Sequence, residues 1–170
     1  MHRRGDDQGP ARGGKKTGPN PTDRGKSGPK RSLLTDGGGI PVGLVVAGAN
    51  EHDKWLAGPT LLSRPVLGPE PAGERPLHFC ADKGYDYADV REVVELWGFT
   101  AHVKTRGEEA AEKASIPGYR ARRWVVGRTH SWMNRFRRLL IRWEKKAENY
   151  EALLHFACAF ITYRAAGLLR

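Results

Sequence analysis

Cysteine is scarce in this chain: Cys80 and Cys158 stand far apart, and neither belongs to a Cys-x-x-Cys or Cys/His spacing. This spacing favours two reduced, buried thiols over a disulfide and gives no sign of a cysteine-ligated zinc site. Long apolar runs are also missing, because residues 152–161 are interrupted by His155 and fall short of the ~20 residues of a membrane span. The basic N-terminus lacks the apolar stretch of a secretory signal. We therefore expect a cytoplasmic protein with no membrane partner.

Apolar side chains are nearly absent from the first 30 residues, which contain no Leu, Ile, Val or aromatic residue but have seven glycines and four prolines. Such a segment cannot bury enough apolar surface to offset the entropy lost on ordering it. The composition predicts a flexible basic arm over residues 1–30 and a folded domain over residues 31–170. The arm is either a solvated tail or a phosphate-contacting segment whose basic residues lead into Arg31.

Acidic residues are also nearly absent from residues 119–146, where Glu144 is the single acid among ten lysines and arginines. Apolar residues recur there at steps of seven, four, three and four, which predicts one helix with a buried stripe. The net charge of +10 favours a nucleic-acid partner, with an anionic membrane surface as the weaker alternative. We expect the tryptophans of this helix to be core residues rather than base-stacking ones. The stripe consists of Val125, Trp132, Phe136, Leu139 and Trp143, and Arg120, Arg123, Arg128, Arg135, Arg138 and Arg142 lie largely off it.

The rest of the chain predicts a sheet covered by helices. Residues 31–36 and 40–47 are short apolar segments joined by three consecutive glycines, which is typical of a β-hairpin. Two more strands are predicted at residues 77–81 and 99–104, with a helix between them that ends at Gly98. This order of elements predicts an α/β or α+β fold.

Helix starts and the last helix complete this prediction. Asp53 is expected to cap a short helix, and Asp86 with Asp89 is expected to cap the helix that ends at Gly98. The last helix has an apolar face that we expect to be buried. Its members are Tyr150, Leu153, Leu154, Ala157, Phe160 and Ile161.

Asp82 is the strongest candidate for chemistry, because it directly follows the strand predicted at residues 77–81. Open α/β sheets place ligands and metals at the carboxyl ends of their strands. Gly84, two residues later, allows the backbone to turn sharply. The alternative is that Asp82 only accepts a hydrogen bond from its own turn.

Four blocks of sequence occur in a fixed order: GPNPTDRGKSG (18–28), ANEHD (49–53), ADKGYD (81–86) and RRWVVGRTHSWMNRFRRL (122–139). Together they resemble the DDE transposases of bacterial insertion sequences, in the insertion-sequence-five group, and the likeness runs from Gly18 to the end of the chain. The resemblance implies a ribonuclease-H-like mixed sheet flanked by helices. It also implies two divalent ions, expected to be magnesium, held by three carboxylates for DNA strand cleavage and transfer.

The family's catalytic residues map unevenly onto this chain. Asp82 matches the second aspartate and is the implied metal ligand. The family's glutamate follows Arg-Trp-Val-Val, where this chain has Gly127. The first aspartate of the family lies on a central strand upstream of the block at 18–28, where only Asp6 and Asp7 are nearby. We therefore expect a truncated relative that lacks the first central strand and is catalytically inactive.

The resemblance implies transposon-end and target DNA as partners, in the bacterial cytoplasm near the nucleoid. The missing strand is expected either from an upstream segment joined by frameshifting or from an intact transposase subunit. Three hypotheses stay open: a defective transposase, a DNA-binding remnant without chemistry, and a chain with no stable fold. The expected DNA contacts are Lys26, Lys30, Arg31, Lys83, Arg120, Arg122, Arg123, Arg128, Arg135, Arg137 and Arg138.

Overall fold

The computed structural model describes residues 14–66, 68, 76–103, 106–115 and 124–168, and it mixes strands with helices, so the α/β class is confirmed. None of the described helices is long and apolar enough to cross a membrane. A short 3₁₀ helix (Lys83–Tyr85) follows the fourth strand. The other elements are β1 (Gly18–Pro19), β2 (Ser27–Thr35), β3 (Pro41–Gly48), α1 (Asp53–Leu62), β4 (Leu77–Ala81), α2 (Ala88–Leu96), β5 (Phe99–Val103), α3 (Arg106–Ser115), α4 (Trp124–Asn134), α5 (Arg137–Leu140) and α6 (Ala147–Ala165).

The described strands form two sheets. The first has the order β1-β2-β3, and β1 pairs antiparallel with the start of β2, with Gly18 opposite Gly28. The second is a parallel pair in which β4 runs beside β5 from Leu77, opposite Phe99, to the ends of both strands. The predicted hairpin is present, but β2 begins at Ser27 because β1 gives its first residues a backbone partner.

The turn between β2 and β3 is closed by its own aspartate. Oδ1 of Asp36 accepts hydrogen bonds from the amides of Gly38 (2.9 Å) and Ile40 (2.8 Å). Gly39 has φ +84, a left-handed conformation that glycine adopts without steric cost. The three glycines therefore mark a tight turn, as the sequence predicts.

The described residues divide into two compact units. The first contains the described residues up to 31, with 46–51 and 131–168; the second contains 32–45 and the described part of 52–130. In the second unit, α1 and α2 cover the β4–β5 pair, because α1 and α2 each present apolar residues at helical spacing. The core of this unit consists of Ala57, Leu61, Phe79, Val90 and Val94.

The first unit is organised around α6. Its predicted apolar face is largely correct, since Tyr150, Leu154, Ala157 and Ile161 are buried. Phe160 is an exception at 39% exposure, and its ring meets that of Phe136 edge-on, with centroids 5.7 Å apart. The structure therefore places Phe160 at the margin of the core rather than within it.

The basic segment does not form the single helix that its periodicity predicts. Helix α4 ends at Asn134, where the amides of Arg135 and Phe136 bond to carbonyls three residues earlier, and α5 begins at Arg137. This turn changes the helical phase, so the predicted stripe is only partly correct. Leu139 is buried, whereas Trp143 is 60% exposed and is not a core residue.

The capping pair predicted for α2 is wrong, because neither aspartate caps the helix. Tyr87 is the N-cap and its side chain makes no capping hydrogen bond. Asp86 instead accepts from Nη2 of Arg91 at 2.7 Å, while Oδ1 of Asp89 accepts from the Val90 amide at 3.1 Å. The helix nevertheless buries Val90 and ends before Gly98 (φ +75), as expected.

The two cysteines are free thiols, as predicted, but they are half-buried rather than buried. Burial raises the pKa of Cys158 to about 11, because a thiolate is poorly solvated there. Cys158 is therefore a packing residue rather than a reactive thiol.

Candidate functional site

Asp82 lies at the carboxyl end of β4 and begins the 3₁₀ helix. Its Oδ1 accepts a hydrogen bond from the Gly84 amide at 3.0 Å, so the turn contact given above as the alternative is present. The Asp82 residue is exposed to solvent. One carboxylate oxygen thus fixes the turn at the strand end, which is the edge where parallel sheets present ligand-binding groups.

Asp53 brings a second carboxylate to the same turn. It opens α1, whose N-cap is His52, not Asp53; Nδ1 of His52 accepts from the Lys54 amide at 3.3 Å. Oδ2 of Asp53 and Oδ1 of Asp82 lie 2.9 and 3.1 Å from the position that a Cβ on Gly84 would occupy. The two carboxylates therefore converge on Gly84. Sequence reasoning assigned Asp53 only a capping role, although it ends the ANEHD block and that position could have indicated it.

A buried network of hydroxyl groups lies beside these carboxylates. Oγ1 of Thr60 donates to Oγ of Ser32 at 2.7 Å, and that oxygen is 3.3 Å from the hydroxyl of Tyr85. Burial raises the pKa of Tyr85; the Ser32 hydrogen bond lowers it, and the charges of Asp53 and Asp82 raise it further. The phenol is therefore protonated at neutral pH, and either it or the Ser32 hydroxyl donates the hydrogen bond between them.

Replacing Gly84 with alanine is expected to lower the free energy of unfolding by about 1–2 kcal/mol, because the new methyl group would compete with two carboxylate oxygens and disturb the Asp82 hydrogen bond. Urea titration followed by tryptophan emission measures this change. Gly58→Ala is the matched control. It lies inside α1 and its nearest contact beyond its chain neighbours would be at 3.9 Å; because the following Pro59 disfavours a Cβ in helical conformation, the gain in helix propensity is offset and alanine there is expected to change stability by less than about 0.5 kcal/mol. A Gly84→Ala variant as stable as Gly58→Ala would show that the carboxylates do not crowd this turn.

Helix α4, which carries Gly127, contacts the β2–β3 turn. Oγ1 of Thr129 donates to the Gly39 carbonyl at 2.6 Å, and Nη2 of Arg128 donates to the Gly38 carbonyl. Thr129 is fully buried, so this end of α4 is held firmly. Gly127 is exposed, and a Cβ placed on it would meet no atom within 4 Å. Gly127 does not break the helix, and a longer side chain has room at this position.

The donor set does not fit a two-metal centre. Among the residues that the structure describes, no group of three or more His, Cys, Asp or Glu side chains is placed to hold a metal ion. Asp53 and Asp82 provide two carboxylates, and one oxygen of Asp82 already accepts the Gly84 amide. Magnesium requires near-octahedral oxygen ligation, and a two-metal reaction requires both ions to be fixed across one phosphate. These residues alone do not meet that requirement.

The remaining candidate residues are dispersed. Arg120, Arg122 and Arg123 lie outside the described residues. Lys83 is exposed in the second unit, immediately after Asp82. In the first unit, Lys26, Arg135, Arg137 and Arg138 are exposed, whereas Nζ of Lys30 donates to the Glu51 carbonyl at 2.6 Å and Nη2 of Arg31 donates to Asn134 at 3.1 Å.

Comparison with known proteins identifies the family of this chain. Residues 79–164 match the family model described as Transposase DDE domain, a range that includes Asp82 and Gly127. The chain is 36% identical over 151 residues to the "Putative transposase for insertion sequence element IS402" of Burkholderia cepacia, and the match covers 87% of this chain and 69% of that relative. No solved structure matches the chain. The family match, together with a relative of this identity and coverage, shows that the chain belongs to the DDE transposase family.

Proposed function

We propose that this member of the transposase family binds DNA but does not cleave it. The observation that carries the proposal is Gly127, which follows Arg-Trp-Val-Val, where the resemblance implies the family's metal-binding glutamate. Of the three carboxylates that the resemblance implies, Asp82 alone has a counterpart; Asp53 lies near it but matches none of them, so a two-metal reaction lacks two of its implied ligands. Magnesium binding at Asp82 is accordingly weak, and the hydrogen bond to Gly84 is what this carboxylate contributes to the fold.

DNA binding is proposed to rest on arginines around the turn between α4 and α5. Arg135, Arg137 and Arg138 are exposed there, and the chain as a whole carries a net charge of +10. Arginine contacts to backbone phosphates release counterions and give affinity without sequence preference.

The ribonuclease-H-like form of the fold is part of the proposal. The parallel β4–β5 pair, with Asp82 at the carboxyl end of β4, supports it. In the described part of the chain, β4 pairs with β5 alone and belongs to a different sheet from the β2–β3 hairpin. The central strand that the resemblance implies would pair with β4. We propose that an intact transposase subunit or an upstream-encoded segment provides this strand, because an unpaired β4 edge would invite pairing with other chains.

Cleavage of DNA carrying the ends of a related insertion element tests the proposal. We expect the purified chain to bind this DNA and to give no cleaved strand over a magnesium titration. Asp82→Asn is the control for any residual activity, since a contaminating nuclease would be unaffected by it. Magnesium-dependent cutting that disappears in Asp82→Asn would contradict the proposal.

Gly127→Glu tests whether a carboxylate introduced at this position gives cleavage. We expect this variant to be more stable by roughly 0.5 kcal/mol, because the site is open, glutamate is a better helix former than glycine, and the position is near the start of α4. Gly127→Ala should stabilise similarly without adding a carboxylate. Cleavage that appears in Gly127→Glu and not in Gly127→Ala would assign the lost activity to this residue. Loss of stability in both would contradict the open environment on which the substitution depends.

A further inference from the structure

A pocket of about 290 Å³ lies in the first unit, and the proposed function does not use it. Its walls come from the β1–β2 region, the segment after α5 and the start of α6. Three cationic side chains, Lys26, Arg31 and Arg142, line it together with one carboxylate, Asp23. Its volume is near the lower end of the range of small-ligand sites. The pocket therefore combines room for a small group with an excess of positive charge.

Arg31 is the unusual member of this lining. Its Nη2 donates to Oδ1 of Asn134 at 3.1 Å, which fixes the plane of the guanidinium. Its Nη1 is buried and has no hydrogen-bond partner among the described residues. A buried donor on a charged group is costly to leave unpaired, so an acceptor at this place is expected. The guanidinium fork suits planar, bidentate recognition of a phosphate or carboxylate.

The other charges of the pocket are already engaged within the protein. Arg142 donates through Nε to the Glu144 carbonyl at 3.0 Å and through Nη1 to the Lys15 carbonyl at 2.9 Å, so it contributes positive potential rather than a free donor. Asp23 is 3.5 Å from Nζ of Lys26, which reduces its repulsion of an anion. Arg31 is thus the lining residue with a buried donor left unpaired, whereas the ammonium of Lys26 is exposed, and the surrounding field favours an anionic acceptor.

We infer that this pocket binds a phosphate group through Nη1 of Arg31, and that a phosphate of the DNA backbone is its source. The pocket and its unpaired donor do not depend on DNA. Only the assignment of the bound phosphate to the DNA backbone rests on the proposed function. The inference separates Arg31 from the exposed arginines of the α4–α5 turn. Those residues attract DNA from its surface, whereas Arg31 would hold one phosphate in a fixed position and so set the register of the duplex.

Titration with inorganic phosphate, followed by the side-chain NMR signals of the arginines in the full chain, tests the pocket. We expect Arg31→Lys to weaken phosphate binding at least fivefold, although the charge is kept, because lysine lacks the guanidinium fork. Arg31→Gln should weaken it at least tenfold. Lys146→Gln removes one charge from an exposed residue of the same unit, away from the pocket lining, and should change binding less than twofold. Equal effects of Arg31→Gln and Lys146→Gln, or an unchanged Arg31→Lys, would overturn the inference. If Arg31→Gln does not fold, Arg31→Lys decides.

Binding to a 20-base-pair duplex, measured by fluorescence anisotropy against salt concentration, tests the source of the phosphate. Arg31→Lys is expected to weaken duplex binding with little change in the log–log salt slope, because the charge is kept, whereas Arg31→Gln is expected to reduce the slope by about 0.9, the value of one phosphate contact. Phosphate binding that depends on Arg31, with duplex binding unchanged in Arg31→Lys, would overturn the DNA source. A chain that binds phosphate in this pocket but never binds a duplex would contradict the proposed function and leave the pocket supported.

Discussion

Replacing Arg142 with methionine is expected to lower the free energy of unfolding by about 2–4 kcal/mol, the cost typical of losing the hydrogen bonds that a buried charged group donates. Arg142 is 3% exposed although it lies in the most basic part of the sequence. Its guanidinium donates to the carbonyls of Glu144 (3.0 Å) and Lys15 (2.9 Å), and it lies over the ring of Tyr150 at 5.6 Å. Methionine would fill much of the same volume while leaving these carbonyls without their donor. The loss is large beside the 5–15 kcal/mol that stabilises a typical domain.

Urea titration of Arg142→Met, followed by tryptophan emission, measures this loss, and Arg137→Met is the matched control. Arg137 is an exposed residue of α5, so the same substitution there should change stability by less than about 0.5 kcal/mol. The comparison removes any general effect of losing one positive charge. Equal transition midpoints for the two variants would show that the buried hydrogen bonds of Arg142 do not hold the first unit together.

Arg142 also shows where prediction from sequence stops. Periodicity and turn residues were sufficient for the hairpin, for β4 and β5, for α2 and for most of the buried face of α6, because each of these depends on residues close in sequence. The burial of Arg142 depends on the Lys15 carbonyl, 127 positions earlier, and no local pattern contains that contact. The helix break after Asn134 was missed for a related reason. The apolar spacing runs on through it, and only the packing of α5 and α6 requires the turn.

The candidate site could likewise be predicted only in part. Asp82 could be found because it directly follows a strand, and parallel strands end at the ligand-binding edge of a sheet. Its neighbour Asp53 is 29 positions earlier and opens a helix, so its convergence on Gly84 appears only when α1 is packed beside the 3₁₀ helix. Tyr85 was not predicted at all, since its hydroxyl is significant only through its contact with Ser32.

Reversing the charges of Arg135 and Arg137 is expected to weaken duplex binding roughly 100-fold at low salt. It should also reduce the log–log salt slope by about the value of two phosphate contacts. Both residues are exposed at the α4–α5 turn, where no buried interaction is lost on substitution to glutamate. Arg138 is left unchanged by design. Its Nε donates to Oε1 of Glu144 at 2.8 Å, and this bond keeps the pKa of Glu144 below its usual value although burial acts to raise it. A third reversal would place two like charges together and confuse binding with folding.

Fluorescence anisotropy across a salt series measures the effect, and Lys145→Glu/Lys146→Glu is the control with the same change in net charge. Lys145 and Lys146 are exposed in the same unit but precede α6 rather than lying at the α4–α5 turn. If the turn is the DNA surface, the lysine pair should weaken binding less than tenfold and leave the salt slope nearly unchanged. If the two double variants weaken binding equally, the chain attracts DNA only through its overall charge. A salt slope that depends on which residues are changed requires counterion release at defined phosphate contacts. The proposed DNA surface would then have no basis in these arginines.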